Sequence, residues 1–564
     1  MTASSQPPEE TTVGAYLAAR LVQLGADHVF GLPGDFNLTL LDQMLTVEDV
    51  RWIGSTNELN AAYAADGFAR VGRRVGALVT TYGVGELSAL NGIAGSYAES
   101  VPVVHVVGMP ARASMEARAP LHHTFLDGDF RRFERMSGEI TGHCTVLESD
   151  RPDELAAEID RVLRGALETS KPVYIGVPLD VASAVVSAHP LKEPLLAPNS
   201  DAQAVEEFAE ALRRRLSDVD RVCLLVGPQV HRRALEDRIE ELAGLPGVQV
   251  ASQSGSKAIL DETHPASLGT YLGATTRSEA ARDAVDTAAP LVLIGTVHSD
   301  FTTGFFTHSY DTSAAVELSV DRARIGRAVY PGARMEDTLR VLREVVAALA
   351  LPDAPPVELP TTALATNEGD SLDQERFWGE VQRWLHPSTT VIAEAGTSFY
   401  GALDLRLAPD SDLLGQPVWS SIGYTLPATL GAGLARPDRR PVLFIGDGSA
   451  QLTVQELGTI FARGIKPIIF LLNNGGYTVE RAIQSPEAVY QDIVEWNWTL
   501  VPAALGAPDV VGITTATPDE LRDALARTTA EPQTAFLIEV HLPRLDAPRL
   551  LTELARGISS ANAQ

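Results

Sequence analysis

The feature that most constrains this chain is a recurring pairing of short apolar runs with longer segments of helical period. Residues 103–107, 173–177, 223–226, 291–294, 391–393, 442–445, 468–472 and 536–540 are short apolar runs, broken only by His105 and Glu539. Stretches such as 155–167 and 204–216 instead place apolar residues three and four apart. Continuous rather than alternating strands, separated by helices, predict parallel sheets covered on both faces, so the expected class is α/β with doubly wound parallel sheets. At 564 residues the chain exceeds what one hydrophobic core supports. Two segments break the pattern. Residues 187–200 carry three prolines, and residues 351–374 are rich in Pro, Thr, Asp and Asn without an apolar period. Read as linkers, they give domains at 1–186, 201–350 and 375–564.

Charge narrows the partners. Lys plus Arg number 45 against 73 for Asp plus Glu, a formal net charge of −28. Nucleic acids and anionic membranes are bound through Lys/Arg-rich faces, so neither is expected here. Two cysteines, Cys144 and Cys223, do not make a disulfide scaffold or a cysteine-rich zinc module. The first ten residues lack a basic region followed by an apolar stretch, and no apolar run approaches the ~18 residues of a membrane span. The expected address is a reducing cytoplasm.

The strongest chemical signal lies in the third block. A strand predicted to end at Ile445 runs into Gly446-Asp447-Gly448-Ser449, and the next, ending at Leu472, runs into Asn473-Asn474-Gly475-Gly476-Tyr477. The 24 residues between Gly448 and Asn473 suffice for one helix and one strand, which predicts adjacent strand ends, where open α/β sheets bind ligands. The helix is expected to start near Ser449, to turn Leu457, Ile460 and Phe461 to one face, and to end at Gly464. Asp447 and the Asn474 carbonyl are hard oxygen donors suited to Mg²⁺ or Ca²⁺. The glycines let backbone approach a bulky anion, and the helix start offers free N–H groups to it. With one carboxylate on the metal, the ligand is expected to bring most of the negative charge, as a diphosphate would. Each tripeptide alone also suits an ordinary βα turn; the two together are more specific.

In the first block, Glu58 stands at a helix start, where the dipole favours a carboxylate. Asp35, in Gly34-Asp35-Phe36-Asn37, would by itself read as a helix cap. The pair His122-His123, with Asp127 and Asp129 nearby, invites a metal. Adjacent side chains on a strand diverge, however, which makes chelation by both awkward and leaves acid–base chemistry or ordinary surface histidines. Gly83-Val84-Gly85 opens like a dinucleotide loop but has Ser88 where the third glycine belongs.

The run GDGSAQLTVQELG…IIFLLNNGGYTVE resembles the cofactor motif of thiamine diphosphate enzymes, most closely the 2-oxo acid decarboxylases acting on pyruvate, indolepyruvate, phenylpyruvate and branched-chain substrates. The resemblance covers nearly the whole chain, because the first-block motifs fall in that family's order. It implies three domains: pyrimidine-binding, central Rossmann-like and diphosphate-binding. It also implies that Mg²⁺ is held by Asp447, Asn474 and the carbonyl of Gly476, and that the cofactor is contacted by Glu58, Thr397, Ser420, Ile422, Gly446, Gly448, Ser449 and Tyr477. Glu58 would bind N1′ of the aminopyrimidine and help its 4′-amino group become the base that forms the ylide. Asp35, His122, His123 and Glu480 would form the proton relay that later protonates the enamine. The His-His pair separates the decarboxylases from flavin-associated carboligases, and retention of Glu58 and Glu480 speaks against a catalytically silent homologue.

The same resemblance places Phe399, Tyr400, Val479, Ile483, Leu554 and Ile558 along the substrate. Residues 546–564 contain no aromatic side chain, which leaves room for a large substrate, and Trp496-Asn497-Trp498 resembles the indolepyruvate and branched-chain members. The expected order is indolepyruvate or phenylpyruvate, then branched-chain oxo acids, then pyruvate. Where the family usually has glycine, this chain has Ser420, which puts the local backbone in question. The middle block shows no dinucleotide motif and is expected to be structural or regulatory. A homodimer or homotetramer is implied, with active sites at the subunit interface.

Overall fold

The apolar runs form the strands they predict. The structure is a computed structural model and describes residues 9–360 and 371–562, with side chains to 556. The chain divides into two compact units, the first being Met1–Pro198 with Leu430–Ala435 and the second Asn199–Thr429 with Arg436–Gln564.

In the first unit a six-stranded sheet runs in the order Arg51–Gly54, His28–Gly31, Gly76–Thr81, Val103–Met109, Val173–Pro178, His143–Val146. Every pairing in it is parallel. Alternate residues of Val103–Met109 explain why apolar side chains occupy both faces of this strand. Val104 and Val106 enter one core with Leu17, Ile159 and Leu163, while Val107 and Met109 enter another with Phe36, Tyr82 and Phe133. Both faces are buried, and the one polar side chain of the strand, His105, is itself buried and paired with the Thr80 hydroxyl at 2.9 Å.

The second unit holds two sheets. One has the order Asp412–Leu414, Thr389–Ala393, Arg440–Gly446, Ile468–Asn473, Phe536–His541, Val511–Thr515, again wholly parallel. Phe444 and Phe470 stack on adjacent strands at 4.9 Å, and Phe377 meets both edge-on, pairs worth roughly 0.5–1.5 kcal/mol each beyond buried area. The other sheet adds an antiparallel edge to the expected parallel pattern. Ser267–Thr270, Val248–Ser252, Val222–Val226, Leu291–Ile294 and Val316–Leu318 pair in parallel, but Arg322–Ile325 and Ala328–Pro331 follow as an antiparallel edge. Short connections around Ser319 and Gly326 permit hairpins there and leave no length for a crossover helix. Among the described residues no helix is long and apolar enough to cross a membrane.

The proline-rich breaks are fastened rather than loose. Val185–Ser187 pairs antiparallel with Glu10–Thr12. Beyond it, buried Arg20 grips Asp160 through two nitrogens, at 2.8 and 2.7 Å, and donates to the carbonyls of Pro190 and Glu193 at 2.9 and 2.7 Å. Past residue 350, Gln249 donates to the Pro355 carbonyl at 3.3 Å, and Leu372 N–H donates to Ala516. Residues 361–370 of the second break lie outside the described residues.

A buried guanidinium that loses its carboxylate keeps its desolvation cost. Asp160→Ala is therefore expected to lower stability by about 3 kcal/mol and to expose the chain near 190 to proteolysis. Urea unfolding and limited digestion check both.

Candidate active site

At the carboxyl end of the all-parallel sheet of the second unit lies a cavity of about 230 Å³. Its floor is the junction of two adjacent strands, Arg440–Gly446 and Ile468–Asn473, as the motif spacing requires. Asp447 is buried and begins the helix Asp447–Thr453, two residues earlier than the sequence suggests. One carboxylate oxygen accepts from Gly448 N–H at 2.8 Å, and the other from Gly475 and Gly476 N–H at 2.8 and 3.2 Å. Burial still pushes its pKa up to about 6 against those donors. The expected single helix is in fact two, for Leu457 and Ile460 belong to Glu456–Ala462, with Gly464 just beyond its end at φ 76°.

These residues fit a cation carrying a bulky anion. The Asn474 side-chain oxygen is buried without a hydrogen-bond partner among the described residues, which leaves a hard donor for a metal beside Asp447. A Cβ at Gly446 or Gly475 would meet nothing within 4 Å, whereas one at Gly448 would strike the Tyr477 ring at 2.7 Å. The loop is thus open at two positions and closed at the one where backbone passes an aromatic edge.

Thr397, Phe399 and Tyr400 sit on the helix Thr397–Leu403, and Val479, Glu480 and Ile483 on Thr478–Ile483, and all six line the cavity with Ser420, Ile422, Ser449, Gly476 and Tyr477. Burial, with the charges of Asp300 and Glu480 nearby, pushes the Tyr400 phenol above its ordinary range. Ser420 has φ 52°, a left-handed conformation that explains why glycine suits the position; its backbone N–H and hydroxyl both donate to the Gln416 carbonyl, at 3.0 and 3.1 Å. Leu554 departs from expectation. It is buried in the core that also holds Phe399 and Tyr400 and is not among the cavity's lining residues. Ile558 lies outside the described side chains.

Two residues of this site escaped sequence reasoning. Phe301, from the block expected to carry no chemistry, joins the cavity wall and stacks on Tyr400 at 6.1 Å. No motif surrounds it, so only tertiary structure could reveal it. Glu394 is buried, accepts from Ala395 N–H at 3.0 Å and from Thr425 N–H and hydroxyl at 3.1 and 2.6 Å, and so ties the Ala395–Thr397 turn to the loop bearing Ile422. Burial raises its pKa to about 7.

In the first unit, Asp35, His122 and His123 do converge. Asp35 Oδ2 lies 2.9 Å from His122 Nε2, and one ligand-type atom from each of the three lies within 4.8 Å of the others. The two histidines do not diverge, because they occupy a loop and not a strand. His123 has φ 60°, which brings the two rings to 4.5 Å, with Phe36 stacked on His122 at 5.0 Å. Asp35 does not cap the next helix. Asn37 holds the cap position of Leu38–Met44, and its side chain accepts from Gly34 N–H. Asp127 and Asp129 are turned to Arg132 and Arg135.

Glu58 opens the helix Glu58–Gly72 behind the cap Asn57. The Gly83-Val84-Gly85 turn connects it to the histidines. A Cβ at Gly85 would lie 3.1 Å from Glu58 Oε1, and one at Gly83, where φ is 67°, would lie 2.2 Å from the His123 carbonyl. Buried Glu86, also missed from sequence, holds this turn by accepting from Gly83 N–H at 2.7 Å and the Tyr174 hydroxyl at 3.0 Å.

The raised pKa of Glu394 has a signed consequence. Its folded value of about 7 exceeds the unfolded one, so its contribution to stability is complete below pH ~4.5 and is lost as pH rises towards 7. Glu394→Gln is expected to remove that part of the slope, up to roughly 3 kcal/mol between pH 4.5 and 8. Urea unfolding of the cofactor-free parent and variant across that range measures it.

Residues 11–130 match the N-terminal TPP binding domain of the thiamine pyrophosphate enzymes, 209–349 their central domain and 395–540 their C-terminal TPP binding domain. An alpha-keto-acid decarboxylase of Mycobacterium avium (strain 104) is 42% identical over 550 residues, covering 97% of both chains. One from Mycobacterium tuberculosis (strain ATCC 25618 / H37Rv) shows the same identity and coverage, and one from Mycobacterium leprae (strain TN) is 40% identical over 554 residues, 98% of this chain and 96% of that one. Matched in every domain and across nearly its whole length, the chain belongs to the thiamine diphosphate-dependent 2-oxo acid decarboxylase family.

Proposed function

We propose that the enzyme converts a 2-oxo acid with an aromatic or branched side chain to the aldehyde and CO₂ without oxidation, in the order indolepyruvate or phenylpyruvate, branched-chain oxo acids, pyruvate. One observation carries this reading: a single cavity joins the hard oxygens of Asp447 and Asn474 to an apolar wall of Phe301, Phe399, Tyr400, Val479 and Ile483. Loss of CO₂ from a 2-oxo acid would leave an unstable acyl carbanion, and thiamine diphosphate, when bound, supplies the electron sink.

The chain's own residues do the rest. Asp447, Asn474 and the Gly476 carbonyl would hold Mg²⁺ on the diphosphate, with Gly446, Gly448, Ser449 and Tyr477 lining its seat. Thr397, Ser420 and Ile422 support the cofactor's middle, with the half-exposed Ile422 as an apolar wedge. Glu58 shares a proton with N1′ of the pyrimidine. Asp35, His122, His123 and Glu480 move the proton that replaces the carboxylate. The apolar wall excludes water, which favours loss of a separated charge. We place the enzyme in the cytoplasm as a homodimer or homotetramer with active sites at the subunit interface, and the charge of −28 supports neither nucleic acid nor an anionic membrane as a partner.

An aldehyde-formation screen over pyruvate, branched-chain, phenyl and indole oxo acids, with and without thiamine diphosphate and Mg²⁺, tests the reading. Activity on pyruvate alone would overturn the substrate order. Glu58→Gln is expected to lower kcat about 100-fold or more while leaving the thermal midpoint near the parent's. Val479→Trp, which narrows the apolar wall, should lower the indolepyruvate-to-pyruvate ratio of kcat/KM by roughly 10–200-fold.

A further inference from the structure

Arg481 follows Glu480 in the chain but does not share its cavity. It is 3% exposed and absent from the lining, and its guanidinium is spent on backbone behind the proposed metal loop. Its Nη2 donates to the Gly475 carbonyl at 2.9 Å, the Gln491 carbonyl at 3.0 Å and Asp492 Oδ1 at 2.8 Å. The segment it reaches is folded back on the same loop. Tyr477 N–H donates to the Gln491 carbonyl at 3.0 Å, and Gly476 and Asp492 form an isolated antiparallel bridge. The Gln491 side chain donates to Gln484 and Ser485, and Arg544 reaches Asp492 at 2.5 Å.

Two further observations set Arg481 apart from an ordinary ion pair. Its Nε and Nη1 are buried without hydrogen-bond partners among the described residues, an expense in desolvation that a surface pair avoids. Gly475 and Gly476 sit at φ 70° and 135°, and a Cβ on Gly476 would fall 2.1 Å from the Gln491 carbonyl, so this backbone has no side chain of its own to steady it. It is gripped from two directions instead. Asp447 takes the N–H groups of Gly475 and Gly476, and Arg481 takes the Gly475 carbonyl.

We propose that Arg481 is a positioning residue for the divalent cation. By riveting residues 491–492 to the Gly475 carbonyl, it fixes the glycine pair so that the Gly476 carbonyl stays available to the metal. This rests on the reading of Asp447, Asn474 and Gly476 as the Mg²⁺ ligands. Groups behind a metal's direct ligands characteristically change affinity by 10–100-fold.

The test is Mg²⁺ titration of thiamine diphosphate uptake by the full-length apoenzyme, followed by quenching of tryptophan fluorescence. Arg481→Met is expected to raise the Mg²⁺ concentration at half-saturation by about 10–100-fold, with excess Mg²⁺ restoring uptake. Asp492→Asn keeps an acceptor for Nη2 and should shift it less. An unchanged Mg²⁺ dependence in Arg481→Met overturns the proposal even if the thermal midpoint falls, because a purely structural role moves the midpoint alone. Should that variant not fold, Arg481→Lys carries the same reading: a raised half-saturation supports the proposal, and a parental one overturns it. A parent enzyme with no Mg²⁺-dependent uptake would overturn the metal reading as well, whereas a normal parent beside a parental variant defeats only the role of Arg481.

Discussion

A carboxylate buried at the end of a parallel strand is the constraint around which the second unit's site is arranged. Asp447 is 2% exposed, and its two oxygens are held by N–H groups of Gly448, Gly475 and Gly476. Those bonds draw the ends of two adjacent strands together, and burial nonetheless lifts the pKa to about 6, so the charged form is incompletely compensated by the protein alone. A bound cation would satisfy what remains. The orphaned oxygen of Asn474 expresses the same need from the neighbouring loop.

Buried carboxylates also hold turns elsewhere. Glu394 ties two cavity-lining turns together, and Glu86 holds Gly83 against the loop of His123. Burial pushes both up to about 7. A loop's polar backbone must find partners once it leaves water, and a carboxylate that accepts several N–H or O–H bonds fixes more than one strand end at once. Asp35 and His122, by contrast, remain about half exposed.

Much of this was legible beforehand because the signals were local. Strand runs register burial on both faces, and the two third-block motifs register the spacing of one helix and one strand. What failed had a common cause. The divergence of His122 and His123 was argued from strand geometry, and one left-handed φ at His123 reverses it. The family resemblance places Leu554 along the substrate, but the direction of a helical face depends on how that helix packs, and it packs into the core. Phe301, Glu86, Glu394 and Arg481 belong to no motif, since a lone aromatic or a lone charge carries no pattern.

The sequence alone determined the α/β class, the adjacency of the loops after Ile445 and Leu472, and the hard oxygen donors that those loops carry. Those follow from periodicity, chain length and donor chemistry, which do not depend on distant residues. Only tertiary structure decided that the central sheet ends in an antiparallel edge, that its block lends Phe301 to the cavity, and that Arg481 turns away from the cavity to grip the glycine loop. Each of these depends on which side chain meets which across long stretches of chain, and packing geometry settles that after the local rules are satisfied.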